Sequence, residues 1–332
     1  MQDLLKKIQN GKELTDGEYF LFFSELIAGK INAEQAAALL YGLTLRGETV
    51  EALYNLVTLL KEKSTKISYN ADNLIDVCGT GGDGQNTLNI STAVAFVVAS
   101  CDIKVAKHGN RSVSSKSGSS DVLQKLGVDI DMAAEQAKNA LAEIDIAFLF
   151  APHYHPALAN VGPLRKNLGV RTIFNLIGPL LNPVGPKKQL IGLYSAELFE
   201  KYSAVVKQLD FLRVILLNSQ DGLDEASIAA PTDLVEINSG KISNTTIYPS
   251  DFGFELASLA DIRGGDAEHN AREMLKIFQG EQNAYSDMVA LNSAIALYLA
   301  EKVSNIQEGV NLAQDILSNG QAFAKLNQLK SF

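Results

Sequence analysis

The sequence predicts an α/β protein: a small all-helical N-terminal domain, then a larger α/β domain with a mainly parallel sheet flanked by helices. Three observations carry this expectation. Apolar residues recur only at helical spacing over 1–65; from about residue 70 short apolar runs alternate with helical patterns; and from residue 266 the chain reads as helical again. The domains are placed at 1–68 and 69–332, with part of 160–185 expected to join the helical domain in space.

In the first domain, Thr15 and Asn32 each stand three positions before a residue, Glu18 or Gln35, that suits a helix start. Phe22, Phe23, Leu26 and Ile27 follow the first start, and Leu39, Leu40 and Leu43 the second. A third helix is expected after Thr49, with Leu53, Leu56, Val57 and Leu60 on one face. A module this thin cannot bury all its apolar faces alone. It therefore packs on the rest of the chain as a lid or on a second copy, and soluble oligomers are most often two-fold dimers.

In the second domain, strands are expected at 74–78, 104–107, 146–150, 190–194 and 213–218, and helices at 91–100, 156–168 and 197–208. Alternation of this kind implies parallel strands covered on both faces. Residues 235–237 and 241–247, joined around Ser239-Gly240, read instead as a hairpin attached to the sheet.

Composition narrows the function. A formal charge of -9 gives no chain-wide attraction to nucleic acid. No apolar stretch approaches the length of a membrane span, and the first residues do not build a secretory signal, so the mature chain is expected to begin near Met1. The two cysteines, Cys78 and Cys101, form no disulfide framework or metal-ligand spacing, which suits a reducing cytoplasm.

Four segments carry chemistry. Asp76-Val77-Cys78-Gly79-Thr80-Gly81-Gly82-Asp83-Gly84 is a glycine-dense turn between a strand and a helix starting near Asn89, a form in which backbone N–H groups can cradle an anion. It fits neither the Walker A spacing nor the dinucleotide fingerprint. A purely structural turn is the competing reading, against which stand the polar side chains Thr87, Asn89, Ser91 and Thr92 at the helix opening. After the next strand, residues 107–121 hold three cations, five serines before Ser120 and two glycines. Such a loop offers many donors to a phosphate or pyrophosphate, and ligands of open α/β sheets bind at strand C-termini.

Asp221-Gly222-Leu223-Asp224-Glu225 is an acidic turn after a strand, suited to Mg²⁺. Arg165, and Arg171 with the apolar and proline-shaped run that follows it to Pro183, either hold a small aromatic carboxylate or cap surface helices. The pair His153 and His155 has no third ligand nearby, so a structural role is expected.

In the order of these motifs the chain resembles the anthranilate phosphoribosyltransferase family, which has the nucleoside phosphorylase-like phosphoribosyltransferase fold, along essentially its whole length. The resemblance rests on residues 79–83, 89–92, 107–115 with 118–119, Arg165, 171–183 and 224–225. It implies transfer of a 5-phosphoribosyl group from phosphoribosyl pyrophosphate to the amine of anthranilate, in tryptophan biosynthesis. It also implies an active site in the cleft between the domains and a homodimer through the helical parts.

By the same resemblance, phosphoribosyl pyrophosphate is held by Gly79, Gly82, Asp83, Thr87, Asn89, Ile90, Ser91, Thr92, Lys107, His108, Gly109, Asn110, Arg111, Ser112, Val113, Ser114, Ser115 and Ser119. Anthranilate meets Gly79, Asn110 and Arg165, with His108 and Pro179 nearby, and Mg²⁺ meets Ser91, Asp224 and Glu225. Neither a covalent nucleophile nor an obligatory base is implied. Two departures from the family pattern stand out: Ser120 where alanine is common, and Leu217-Asn218 before Ser219 where Val-His-Gly is often seen. The rival readings are a pyrimidine nucleoside phosphorylase of the same fold, which the 107–111 run disfavours, and a non-catalytic nucleic-acid-binding paralogue, which the negative charge disfavours.

Overall fold

The computed structural model describes residues 1–111 and 116–332. Its N-terminal quarter is helical: Gln2–Gln9, Asp16–Ile27, Ala33–Arg46 and Val50–Lys63. The starts read from the sequence are present as hydrogen bonds. Thr15 and Glu18 cap each other reciprocally, Asn32 accepts from the Gln35 N–H at 2.8 Å, and Thr49 accepts from that of Ala52 at 3.1 Å. Each bond satisfies an N–H that the helix itself cannot, which stabilises a helix start by about 1 kcal/mol.

The sheet has seven strands among the described residues: β1 Leu74–Gly79, β2 Lys104–Gly109, β3 Ile146–Phe150, β4 Lys188–Gly192, β5 Arg213–Ser219, β6 Thr232–Asn238 and β7 Lys241–Ile247. Their order is β3-β2-β1-β4-β5-β6-β7, with the first five parallel and the last two antiparallel. The hairpin turn holds Ser239 and Gly240 at φ 49° and 81°, the two positive values that match the twist of its strands.

Period-two alternation assigns the two sheet faces to different cores. Leu190, Ile215 and Leu217 pack with the helices Ile90–Ala99 and Ala284–Leu299. Ile191, Val214 and Leu216 share a cluster with the helix Leu198–Gln208 and with Phe22, Phe23, Leu53 and Leu56 of the N-terminal helices. The N-terminal module is thus seated on the sheet layer and is not an independent body.

Where one helix was expected over 156–168, there are a 3₁₀ turn, Pro156–Asn160, and a separate helix, Gly162–Leu168. Pro163 stands in the first turn of the second piece, where a missing N–H costs nothing, so it starts a new helix. This connection lies against the N-terminal helices. The Asn160 side chain donates to the Ile27 carbonyl at 2.8 Å, and Val161, Ile173 and Leu180 belong to their apolar cluster. The fourth strand begins two residues earlier than expected and ends at Gly192.

Candidate active site

The C-terminal ends of β1 and β2, with the acidic turn that follows β5, open on one cavity of about 350 Å³. Its wall takes in residues of both expected anion loops, Arg165, Pro179, and the carboxylates Asp83, Asp224 and Glu225. A larger groove, about 690 Å³, runs between the helix Leu198–Gln208 and the β6–β7 hairpin and contains none of these groups.

The glycine turn after β1 makes a bed for Asp224. Gly79 pairs with Gly192 across β1 and β4. A Cβ on Gly79 would lie 2.2 Å from the Asp224 carboxylate, and one on Gly192 would lie 1.7 Å from the Asp224 carbonyl oxygen. Only hydrogen at both positions lets the acidic turn approach. Gly81, Gly82 and Gly84 then take φ of 63°, 78° and 80°, a left-handed path that reverses the chain, and the Gly81 N–H donates to the Asp224 carboxylate at 2.6 Å.

Burial of Asp224 and Glu225 is the first cause raising both carboxyls above their usual range, and the neighbouring negative charges, Asp83 on Asp224 and Asp224 on Glu225, add to it. Both keep part of their surface on the cleft. Lys107, only 4% exposed, is the cation that opposes both shifts. Glu225 also accepts from the Ser91 N–H at 3.1 Å, where the helix Ile90–Ala99 opens. No cluster of three or more His, Cys, Asp or Glu suited to a metal occurs among the described residues. The carboxylate oxygens of Asp224 and Glu225, crowded together with Ser91 in the same cavity wall, are the donors present, and such an oxygen set fits a hard divalent cation that keeps waters or substrate oxygens on its open positions.

Beneath the loops, Asp76 is fully buried. It accepts from Asn182 at 2.8 Å, Gln189 at 3.2 Å and the His108 N–H at 3.3 Å. Asn182 also donates to the Ala106 carbonyl at 2.8 Å, and Gln189 to that of Pro179 at 2.6 Å. This network fixes β1, β2, β4 and the 178–181 turn relative to one another. Burial raises the Asp76 carboxyl, and the nearby Lys107 charge opposes that.

Lys107, His108, Gly109, Asn110, Arg111 and Ser119 all line the cavity. Arg111 pairs with Asp121 at 3.0 Å. Ser112, Val113, Ser114 and Ser115 lie outside the described residues. Ser120, one of the two departures, is fully buried, and its hydroxyl finds no partner among the described residues. Asn218, the other, donates to the carbonyls of Leu193 at 2.8 Å and Leu223 at 3.3 Å, tying the acidic turn to the end of β4.

The two arginines separate. Arg165 lines the cavity, stacks over Phe174 at 5.5 Å, and has no carboxylate within ion-pair distance among the described residues. Arg171 instead stacks over Tyr194 at 4.3 Å and donates to the Gly82 carbonyl, bracing the glycine turn. The histidines separate too. His153 faces Asp131 at 3.2 Å on the surface, whereas His155 is buried in the cavity wall beside His108, ring centroids 5.4 Å apart. Burial, then the neighbouring His155 and Lys107, push His108 down to about 3, so both its nitrogens cannot be protonated near neutrality.

Sequence reasoning passed over Asp76 as a clamp, Gly192 and the C-terminal helices; His155, expected to be structural, sits in the cavity wall with its ring against the Leu181 carbonyl at 2.7 Å. Asn292, fully buried on Ala284–Leu299, pairs its amide with both the N–H and the carbonyl of Ala226, each at 2.8 Å, one residue past Glu225. Buried asparagines within a helical pattern were the available signal.

Two family models match the chain, a glycosyl transferase family helical bundle domain over residues 2–64 and a glycosyl transferase family a/b domain over 71–323. The anthranilate phosphoribosyltransferase of Petrotoga mobilis is 43% identical over 328 residues, covering 99% of this chain and 95% of its own. That of Geobacillus kaustophilus is 43% identical over 332 residues, covering 100% and 98%. The chain belongs to the anthranilate phosphoribosyltransferase family. Among solved anthranilate phosphoribosyltransferases, the Thermus thermophilus crystal structure is similar with TM-score 0.90 and 34% identity, covering 99% of this chain and 98% of that one. The Saccharomyces cerevisiae enzyme in complex with phosphoribosyl pyrophosphate and Mg has TM-score 0.91 and 26% identity, covering 99% and 96%.

Proposed function

We propose that this cavity is where the 5-phosphoribosyl group passes from phosphoribosyl pyrophosphate to the amine of anthranilate, giving N-(5-phosphoribosyl)anthranilate and pyrophosphate. One observation carries the reading. Arg165 over Phe174, a cation with no ion-pair partner among the described residues, shares one cavity with a donor-rich anion loop and a crowded carboxylate pair. Three chemically different subsites meet there, as a reaction between an anionic sugar donor and an aromatic acid requires.

Lys107, Arg111, Ser119 and the N–H groups of the glycine turn neutralise the pyrophosphate, with Thr87, Asn89, Ser91 and Thr92 completing the donor site. Ser91, Asp224 and Glu225 hold Mg²⁺, which supplies further charge for the leaving pyrophosphate. Arg165 takes the anthranilate carboxylate, and Gly79, Asn110 and the neutral His108 ring bound the space for its amine. The amine nitrogen bonds to C1 of the ribose as the C1–O bond to pyrophosphate breaks, and the nitrogen then loses its proton to solvent or to an oxygen of the departing pyrophosphate. An aromatic amine is already unprotonated near pH 7, so positioning and electrostatics contribute most of the acceleration and no side chain must act as nucleophile.

Phe20, Leu21, Tyr41 and Leu45 are exposed on the two helices Asp16–Ile27 and Ala33–Arg46, which supports a homodimer through the helical domain. The two free thiols, Cys78 and Cys101, fit a cytoplasmic setting. The direct test follows anthranilate fluorescence with and without phosphoribosyl pyrophosphate and Mg²⁺. Loss that requires both is the expected result, and no loss at any metal concentration refutes the reading. Glu225→Gln should lower kcat and weaken the Mg²⁺ dependence; unchanged values would remove Glu225 from the metal site.

A further inference from the structure

Two segments far from the glycine turn in sequence are built into it. Residues 262–264 run antiparallel to 86–88: Leu88 donates to the Ile262 carbonyl at 2.9 Å, Gly264 to that of Asn86 at 2.7 Å, and Thr87 bridges Arg263. A Cβ on Gly264 would lie 2.4 Å from the Thr87 carbonyl oxygen, so the contact is as close as a backbone allows. The helix Ala267–Phe278 starts just beyond and carries Asn270, which is 2% exposed.

The side chain of Asn270 makes two bonds. Its oxygen accepts from the Gly265 N–H at 2.7 Å, and its nitrogen donates to the Asn89 side-chain oxygen at 2.8 Å. A primary amide has nearly the same shape in its two flipped orientations, and only its partners decide between them. The Gly265 N–H can only donate. It therefore holds the Asn270 oxygen on its own side and turns the Asn270 nitrogen to Asn89. Asn89 must answer with its oxygen, which leaves its NH₂ directed toward the carbonyl of Ser117 at 3.5 Å and the cavity wall. The Asn89 backbone is held separately, by the Tyr285 hydroxyl donating to its carbonyl at 3.2 Å.

We propose that Asn270 is a positioning residue that sets the amide of Asn89 so that a donor, not an acceptor, faces the anionic phosphoribosyl substrate. The inference rests on Asn89 contacting that substrate, as the proposed function has it. Order passes from one backbone N–H through two amides to the ligand, and each link fixes the next. With Asn89 turned the other way, its carbonyl oxygen would oppose phosphate oxygens in a cavity where donors are needed.

The test compares Asn270→Asp and Asn270→Ala. The carboxylate introduced by Asn270→Asp would keep the bond from Gly265 but present a second acceptor to Asn89, which must then turn its NH₂ away from the substrate. The KM of this variant for phosphoribosyl pyrophosphate should rise about tenfold or more, the effect of one lost hydrogen bond to a charged group. The KM for anthranilate should stay within about twofold, because the Arg165 wall is untouched. Asn270→Ala frees Asn89 to take either orientation and should raise the donor KM less than the isosteric Asp. A role in packing alone predicts the opposite order, since Ala leaves a hole and Asp does not. In an Asn89→Ala background, Asn270→Asp should add nothing to the donor KM.

Multiplying effects in the double variant, or an Ala variant worse than Asp, overturn the inference and leave the donor site standing. An Asn89→Ala variant with unchanged donor KM overturns instead the assignment of Asn89 to the substrate. If Asn270→Asp does not fold, the Ala variant alone and in the Asn89→Ala background decides by the same criterion of additivity.

Discussion

Gly192→Ala is the sharpest single perturbation of the acidic turn. The added methyl would lie 1.7 Å from the Asp224 carbonyl oxygen and 2.7 Å from its carbonyl carbon, where ordinary contact begins near 3.4 Å. Something must retreat by roughly 1.5 Å, and what stands in the way is backbone, which cannot rotate aside as a side chain would. The turn is also held from behind by Asn218 on the carbonyls of Leu193 and Leu223 and by Asn292 on Ala226. A displacement of about 1 Å at a reacting centre costs on the order of 100-fold, or about 2.7 kcal/mol of transition-state stabilisation. We therefore expect kcat/KM to fall about 100-fold, the Mg²⁺ concentration for half-maximal rate to rise, and the anthranilate KM to change little. Overpacking should also cost roughly 1–3 kcal/mol of stability. Steady-state rates over a Mg²⁺ series, with a melting curve on the same preparation, measure all of this. Wild-type kcat/KM and metal response in a fully folded variant would refute the claim that the two glycines set the position of Asp224.

Further outcomes follow from the same geometry. Arg165→Ala removes the cation expected to meet the anthranilate carboxylate; at about 2–5 kcal/mol for one partner of a buried pair, the anthranilate KM should rise at least about 30-fold. Equal weakening of both substrates in steady-state kinetics would exclude that role. Asn292→Leu strips the Ala226 N–H and carbonyl of partners at roughly 1–3 kcal/mol each, so the urea midpoint should drop clearly; an unchanged midpoint would mean the pairing contributes nothing. His108 is held down to about 3 by burial, below its ordinary 6.5, so the unfolded chain binds its proton first. Its contribution to stability is complete above about pH 6.5 and is lost progressively as pH falls from there toward 3. A His108→Gln variant should lose less stability than the wild type between pH 7 and pH 5 in urea titrations, and parallel losses would show that His108 is not buried neutral.

Much of the fold was legible because its signals are local. Thr15, Asn32 and Thr49 bond residues within the same helical turn, so a cap can be read from a few letters. The Ser239-Gly240 hairpin is equally local. Apolar spacing over 156–168 predicts one helix because it continues through the break, while Pro163 resets the backbone and the stretch divides into Pro156–Asn160 and Gly162–Leu168. Spacing alone does not carry the expectation that part of 160–185 joins the helical domain, since that placement is decided by which sheet face those helices cover; residues 173–181 share their apolar cluster.

The candidate site divides along the same line. The glycine turn, the 107–111 run and the acidic turn each announce themselves, because a loop that must cradle an anion or a cation has a composition that a packed element cannot tolerate. What composition leaves out is the machinery that aligns one loop with another. Gly81 meets Asp224 across 143 positions, Asn270 meets Asn89 across 181, and Asn292 meets Ala226 across 66. Each of these bonds is made by an ordinary-looking glycine, asparagine or peptide group. A buried asparagine in an amphipathic helix is nevertheless a signal of its own. It adds polarity on a face that should be apolar, and desolvating its amide costs more than a lost apolar contact unless every donor and acceptor is answered. Asn270 stands on such a face and Asn292 on a helix buried nearly all round, at 2% and 0% exposure; Gly265 and Asn89 answer the first amide, and the Ala226 peptide beside the acidic turn answers the second. The C-terminal helices, which carry none of the motifs, therefore determine how the motifs face one another, and the polar residues they bury mark where.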